Sequence, residues 1–204
     1  MTAGATKAED RPVHTSRELA AMFPDVWGIK WATRPGEFRR NAERLAKQGS
    51  IGPGDQVLDI GAGGGFLAPV CRRLSANYQG IDVDFREYAI EVRRANGASV
   101  WPFEMKRPGG KTRTPAGLWD VIVCGWIVFG EGWDLPEWRQ VILGLFASLT
   151  PGGRLVLRFN EDRIGDLPDG LREWLETLAG RRGLFGREKS SVACGFVLTN
   201  RWRP

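Results

Sequence analysis

From residue 55 to about residue 180 the chain alternates between two hydrophobic patterns. Short apolar runs are followed by stretches in which apolar residues recur every three or four positions. Val57, Leu58 and Ile60 make the first run, and "FLAPVCRRLSA" after it has helical composition, with Pro69 suited to a first turn. "YQGIDVD" predicts a second strand and "FREYAIEVRRANG" a second helix that stops at Asn96-Gly97. "SVWPF" predicts a short third strand, and Pro102 places it at an edge. "WDVIVCGW" is a continuously apolar fourth strand. "LPEWRQVILGLFASL" puts Val141, Ile142, Leu145, Phe146 and Leu149 on one helical stripe. "TPGG" ends that helix, "RLVLRFN" is a fifth strand, and "DGLREWLETLAG" a further helix. The closing runs "GLF" and "ACGFVLTNRW", joined across "GREKSS", predict an antiparallel hairpin.

Strands alternating with helices argue for an α/β fold, a mostly parallel, doubly wound sheet with helices on both faces. The first fifty residues follow another pattern. Residues 1–16 are small and polar, and are expected to be disordered. "SRELAAMF" and "PGEFRRNAERLAKQG" predict two helices around a bend carrying Trp27 and Trp31. The second places Phe38, Ala42 and Leu45 on one face, with Gly49 as its stop. Residues 17–50 therefore form an accessory segment before a main domain over 51–204. Lying before the first strand, this segment is expected to cross the sheet's carboxyl edge as a helical lid that covers the ligand and helps shape the acceptor site; packing behind the sheet is the alternative.

Composition narrows the picture modestly. The chain has 204 residues and a formal net charge of +5. It contains no apolar run of membrane-spanning length, and its start lacks the apolar core of a secretory signal, so a cytoplasmic location is expected. Cys71, Cys124 and Cys194 show no metal-binding spacing and read as reduced thiols; no metal is expected. Positive charge concentrates at Lys106–Arg113 and after Gly180. Solvated surface and a functional basic face both remain open there.

Candidate chemistry starts at "VLDIGAGGGF", where Gly61, Gly63, Gly64 and Gly65 follow the first strand directly. Glycine loses more backbone entropy on folding than any other residue, so such a cluster marks a sharp turn or a close approach. At the carboxyl end of a parallel strand, that approach is the place of a ligand, and a following helix N-terminus offers free N–H groups. The second strand ends at Asp82, 21 residues beyond Gly61, where a carboxylate can accept hydrogen bonds from ribose hydroxyls. A tight turn beside a buried aspartate is the plainer alternative. The dinucleotide pattern G-x-G-x-x-G fails, because Phe66 stands where its third glycine belongs.

What the chain does contain is D-x-G-x-G-x-G, as Asp59, Gly61, Gly63 and Gly65. This resembles motif I of the class I S-adenosylmethionine-dependent methyltransferases. "GIDVD", "WDVIVCGW" and "LTPGGRLVL" resemble further motifs of that family, in the same order, over roughly residues 50–160. The resemblance implies a Rossmann-like seven-stranded sheet, with the closing hairpin supplying the reversed strand. It implies S-adenosyl-L-methionine as cofactor. Gly61, Ala62 and Gly63 would pass under its methionine and ribose. Asp59 would act around the amino group, Asp82 on the ribose, and Val83 at the adenine. Glu104 would follow the third strand, with Met105 or Phe103 on the ring, and Cys124, Gly125 and Trp126 would border the reactive methyl.

Methyl transfer from a sulfonium needs positioning first, and a base only where the acceptor must lose a proton. Glu131, Asp134, Glu161 and Asp162 follow the fourth and fifth strands and are the candidate bases; His14 lies in the polar start. Trp126, Phe129 and Trp133, with Trp27 and Trp31, are candidates for an acceptor pocket. The chain has no N-P-P-Y or D-P-P-Y tetrapeptide, no Pro-Cys nucleophile, no cysteine triad and no catechol-type metal cluster. A small organic acceptor is the expectation. RNA- or protein-directed methylation through the basic C-terminal face, or a non-catalytic nucleoside-binding module, are the alternatives.

Overall fold

The computed structural model describes residues 34–105, 112–125, 133–160, 168–179, 184–185 and 193–200. The expectations for residues 1–33, and for Lys106–Lys111, lie outside them.

α1 (Pro35–Gln48) forms because Asn41, Ala42, Leu45 and Ala46 make one buried stripe, with Pro35 in the first turn. It is followed by β1 (Gln56–Ile60), α2 (Ala68–Arg73), β2 (Asn77–Asp82), α3 (Glu87–Ala95), β3 (Val100–Pro102) and β4 (Trp119–Cys124). Then come α4 (Leu135–Ala147), β5 (Leu149–Asn160), α5 (Leu171–Ala179), β6 (Leu184–Phe185) and β7 (Ala193–Thr199). The sheet runs in the order β3-β2-β1-β4-β5-β7-β6. Its first five strands are parallel, β7 runs antiparallel to β5, and the two-residue β6 antiparallel to β7. Pro102 sits in the edge strand, where its missing N–H removes no ladder bond on the open side.

The continuous apolar runs have a simple cause: both faces of the sheet are covered. Val57, Val121, Val123 and Val156 face α1, α2 and α3. Leu58, Ile122, Leu155 and Leu157 alternate with them and face α4 and α5. Strand order reverses at β1, whose neighbours are β2 and β4, and ligands of open α/β sheets bind beyond the carboxyl ends of strands at such a point.

Two local expectations are corrected. "TPGG" does not simply end a helix: α4 closes at Ala147, and Thr150-Pro151-Gly152-Gly153 already belongs to β5. The reason is long-range, since Gly152 N–H donates to the Asn200 carbonyl and Asn200 N–H to the Gly153 carbonyl. Gly49 stops α1, but in right-handed backbone (φ −74°); Ser50 takes the left-handed position (φ 47°). Gly49 serves packing instead, because an added Cβ would come 2.9 Å from Val121 Cγ1 and 3.2 Å from Val156 Cγ2.

Candidate active site

A cavity of about 850 Å³ opens beyond the carboxyl ends of β1, β2 and β4. One wall is the loop from Asp59 to Gly64, the β2 end from Ile81 to Arg86, and Phe103 and Met105. The other is Phe38, Asn41, Ala42 and Leu45 of α1, with Phe66, Leu67 and Gly125.

The glycine loop turns through left-handed backbone at Gly61 (φ 68°), Gly63 (φ 54°) and Gly65 (φ 70°), which explains the residue type at these positions. Its N–H groups are largely used internally. Gly61 and Ala62 donate to the Ile81 carbonyl, Gly65 to the Ala62 carbonyl, and Gly63 to Asp82 Oδ2 at 2.6 Å. The expected display of free helix N-terminal donors is therefore absent among these groups. α2 itself starts only at Ala68. A loop so satisfied has few backbone donors left to offer a phosphate.

Asp82 is 9% exposed; its Oδ1 accepts from the Asp84 N–H at 2.8 Å and keeps acceptor capacity. Asp59 is buried at the end of β1 and accepts from the Tyr78 hydroxyl at 3.0 Å. Burial pushes the Asp59 carboxyl up to about 7; the Asp82 charge adds to the rise, while the Tyr78 hydrogen bond and the Arg93 charge oppose it. Gly80 makes room for this pair, since a Cβ there would lie 2.7 Å from the Tyr78 oxygen. Asp84 behaves oppositely. Hydrogen bonding from Arg86, foremost, holds its carboxyl down at about 2.

Of the residues expected at the cofactor, Asp59, Gly61, Ala62, Gly63, Asp82, Val83, Met105 and Gly125 all line the cavity. Three others stand off it. Glu104 is exposed, while its neighbours Phe103 and Met105 line the cavity instead. Cys124 is fully buried on the α4 side of the sheet, where burial raises its thiol well above the usual range. Gly65 packs on the turn after α3, where an added methyl would overlap Ala98.

Asp134 and Trp133 also lie away from the cavity lining. Asp134 caps α4: its Oδ1 accepts from the Glu137 N–H at 2.8 Å, and the Asp134 N–H donates to Glu137 Oε2 at 3.1 Å. Trp133 packs on Trp138 with ring centroids 5.5 Å apart. Glu131, Glu161, Asp162, Trp126, Phe129, Trp27, Trp31 and His14 lie outside the described residues.

Residues 17–50 are expected as a lid, but the periodicity of α1 marks Phe38, Ala42 and Leu45 only as a packing face; they are that and cavity wall together. Asn41, a polar residue in the same buried stripe, was the available signal. Gly125, directly after β4, is glycine because a Cβ would lie 2.7 Å from Leu45 Cδ1. Among the described residues no group of His, Cys, Asp and Glu could hold a metal ion, and no helix is long and apolar enough to cross a membrane.

Comparison with known proteins places the chain in a family. The profile of a family described as a methyltransferase domain matches residues 31–183. The chain is 30% identical over 149 residues to a ubiquinone biosynthesis O-methyltransferase of Albidiferax ferrireducens, covering 65% of this chain and 54% of that one. It is 34% identical over 110 residues to a ribosomal protein L11 methyltransferase of Burkholderia ambifaria, covering 53% of this chain and 33% of the relative. The chain spans about half the length of the curated relatives it matches. Its fold is similar to that of the N-methyltransferase NodS from Bradyrhizobium japonicum, solved with S-adenosyl-L-homocysteine, at a TM-score of 0.58 and 19% identity over 92% of this chain and 98% of that one. With three quarters of its length inside the family match, the chain belongs to the methyltransferase-domain family, among the class I S-adenosylmethionine-dependent methyltransferases.

Proposed function

We propose that this chain transfers the methyl group of S-adenosylmethionine to a small, largely apolar organic acceptor in the cytoplasm. The observation that carries this reading is the cavity's two-walled character: the carboxylates of Asp59 and Asp82 on one side, a mainly apolar helix face on the other. Three features suit the cofactor. Asp82 can accept from ribose hydroxyls, the buried Asp59 can meet an ammonium, and the loop's internally satisfied amides ask for no phosphate.

When bound, the cofactor supplies a methyl carbon already activated by its sulfonium, so transfer is an in-line displacement. The chain's work is then to hold, orient and exclude water. Asp82 and the glycine loop would hold the nucleoside end. Phe38, Ala42, Leu45 and Phe66 would wall the acceptor end and keep it dry, and Gly125 would let α1 close on the sheet. Among the described cavity residues, the only polar side chain on the α1 wall is Asn41. That suits an acceptor atom that needs no strong base, or one whose base comes from elsewhere. Residues 17–50 act as a lid in this reading, with α1 as its described part. Two buried free thiols, Cys71 and Cys124, fit a reducing compartment.

Calorimetry with S-adenosylhomocysteine tests the cofactor, and turnover on a panel of phenols, amines and carboxylic acids tests the acceptor. Tighter binding of NAD would overturn the first reading. Methylation of RNA or protein substrates with none on the panel would overturn the second. Hydrogen exchange should slow in 34–48 as well as in 59–65 on adding S-adenosylhomocysteine; slowing in the loop alone would reject the lid.

A further inference from the structure

Arg93, on α3, is only 4% exposed. It lies beneath the glycine loop in a helix otherwise docked by Tyr88, Ala89 and Val92. Withdrawing a guanidinium from water costs several kcal/mol unless charge and hydrogen bonds offset it. An apolar residue here would have served packing alone, so the buried charge calls for another explanation.

Its contacts supply one. Nε donates to the Gly63 carbonyl at 2.7 Å, and Nη2 lies 3.4 Å from Asp82 Oδ2. The guanidinium carbon stands 4.8 Å from the centre of the Phe85 ring. Gly63, Asp82 and Phe85 all line the cavity, and Arg93 does not. Gly63 closes the arrangement, because its own N–H donates to the same Oδ2 at 2.6 Å. Asp82 Oδ2 is thus committed inward, to the loop and to Arg93, while Oδ1 retains capacity toward a ligand. Among the described residues, Nη1 and Nη2 make no hydrogen bond. The buried cation is thus met by one hydrogen bond, one carboxylate and one ring face, all belonging to the cavity rim.

We infer that Arg93 is a positioning residue for nucleoside recognition: by pinning Gly63, Asp82 and Phe85 from behind, it fixes the rotamer in which Asp82 offers Oδ1 to a ribose hydroxyl. The inference rests on the cofactor reading above. Lysine is a poor substitute, since one ammonium cannot serve the carbonyl, the carboxylate and the ring face together.

The test titrates S-adenosylhomocysteine and its 2′-deoxyribose analogue into the full chain and into Arg93→Met and Arg93→Lys, with thermal melts alongside. The intact chain should prefer the hydroxyl-bearing ligand by about tenfold or more, as a hydrogen bond to a charged group is lost in the analogue. In Arg93→Met that preference should fall to roughly twofold, with analogue affinity little changed, and Arg93→Lys should lie between. Equal weakening of both ligands, or an undiminished preference in a folded variant, would overturn the inference and leave Arg93 a structural residue. If Arg93→Met does not fold, Arg93→Lys carries the same comparison, and a preference equal to that of the intact chain overturns the inference. Failure of the intact chain to bind either ligand would overturn the cofactor reading itself.

Discussion

On the glycine-loop side of the cavity, polar groups are tied to one another: Gly63 to Asp82, Asp82 to Asp84, Asp59 to Tyr78, Asn96 Nδ2 to the Gly64 carbonyl. On the α1 side the wall is mainly apolar side chains, held by packing on Val121, Val123 and Val156 and by a 5.1 Å stack of Phe38 on Phe66; its one polar side chain, Asn41, accepts from Arg158 Nη1 at 3.4 Å. A hydrogen-bonded wall has one low-energy arrangement, because moving any member leaves a buried partner unsatisfied. An apolar wall tolerates exchange of one side chain for another of similar volume. Under the function proposed above, the first would hold the unchanging cofactor and the second an acceptor whose shape can vary without disturbing the fold.

Four experiments break or sharpen this contrast. The largest effect is expected for Asp82→Ala, which strips Arg93 of its counter-charge and Gly63 of its acceptor. Urea unfolding should show a loss of about 3–5 kcal/mol, the range for half of a buried ion pair. A loss under about 1 kcal/mol would mean that the loop side is not a coupled network.

Next is Gly65→Ala, set against Gly152→Ala. Both glycines have left-handed φ (70° and 80°), but an added methyl overlaps Ala98 at the first and meets open space at the second. Gly152→Ala should cost about 1–2 kcal/mol from backbone alone. Gly65→Ala should cost roughly 1–3 kcal/mol more, from overlap. Equal costs would show that α3 yields freely beneath the loop.

The third is a pH profile. The folded Asp59 carboxyl lies at about 7, above its ordinary 3.8, so folding favours its protonated form. The associated stability is present in full below pH 3.8 and is lost as pH rises through 7. Unliganded protein should therefore lose stability between these values, by up to about 1.4 kcal/mol per pH unit where the difference in bound protons is greatest. A cationic ligand favours the carboxylate, so S-adenosylmethionine should bind more tightly at pH 8 than at pH 6, with proton release seen in buffers of different ionisation heat. Tyr78→Phe removes the hydrogen bond that lowers this carboxyl and should move both profiles to higher pH. Profiles that ignore Tyr78→Phe would assign the titration elsewhere.

The smallest effect on the fold belongs to the other wall. Phe38→Ala removes the stack on Phe66 and should cost about 1 kcal/mol of stability. Affinity for S-adenosylhomocysteine should stay within about twofold, while kcat/KM for the acceptor falls, because only the acceptor end loses a contact. Parallel loss of cofactor affinity would erase the distinction between the walls.

What the sequence by itself determined follows from short range. Strand and helix periods, the turn demanded by Gly61, Gly63 and Gly65, and the Asp59–Asp82 spacing depend on neighbouring residues, and continuous apolar runs announce a sheet covered on both faces. Tertiary structure decided the rest. Which of Phe103, Glu104 and Met105 faces the cavity depends on the path the chain takes after β3, and "TPGG" becomes strand only because Asn200 meets it from the far end of the chain. Gly49 and Gly125 are glycine for the sake of Val121 and Leu45, and Arg93 is charged for the sake of Gly63 and Asp82. Periodicity tells which face of a helix is buried, but not what it is buried against. That partner is selected by packing among segments distant in the chain, and no local pattern of residues encodes it.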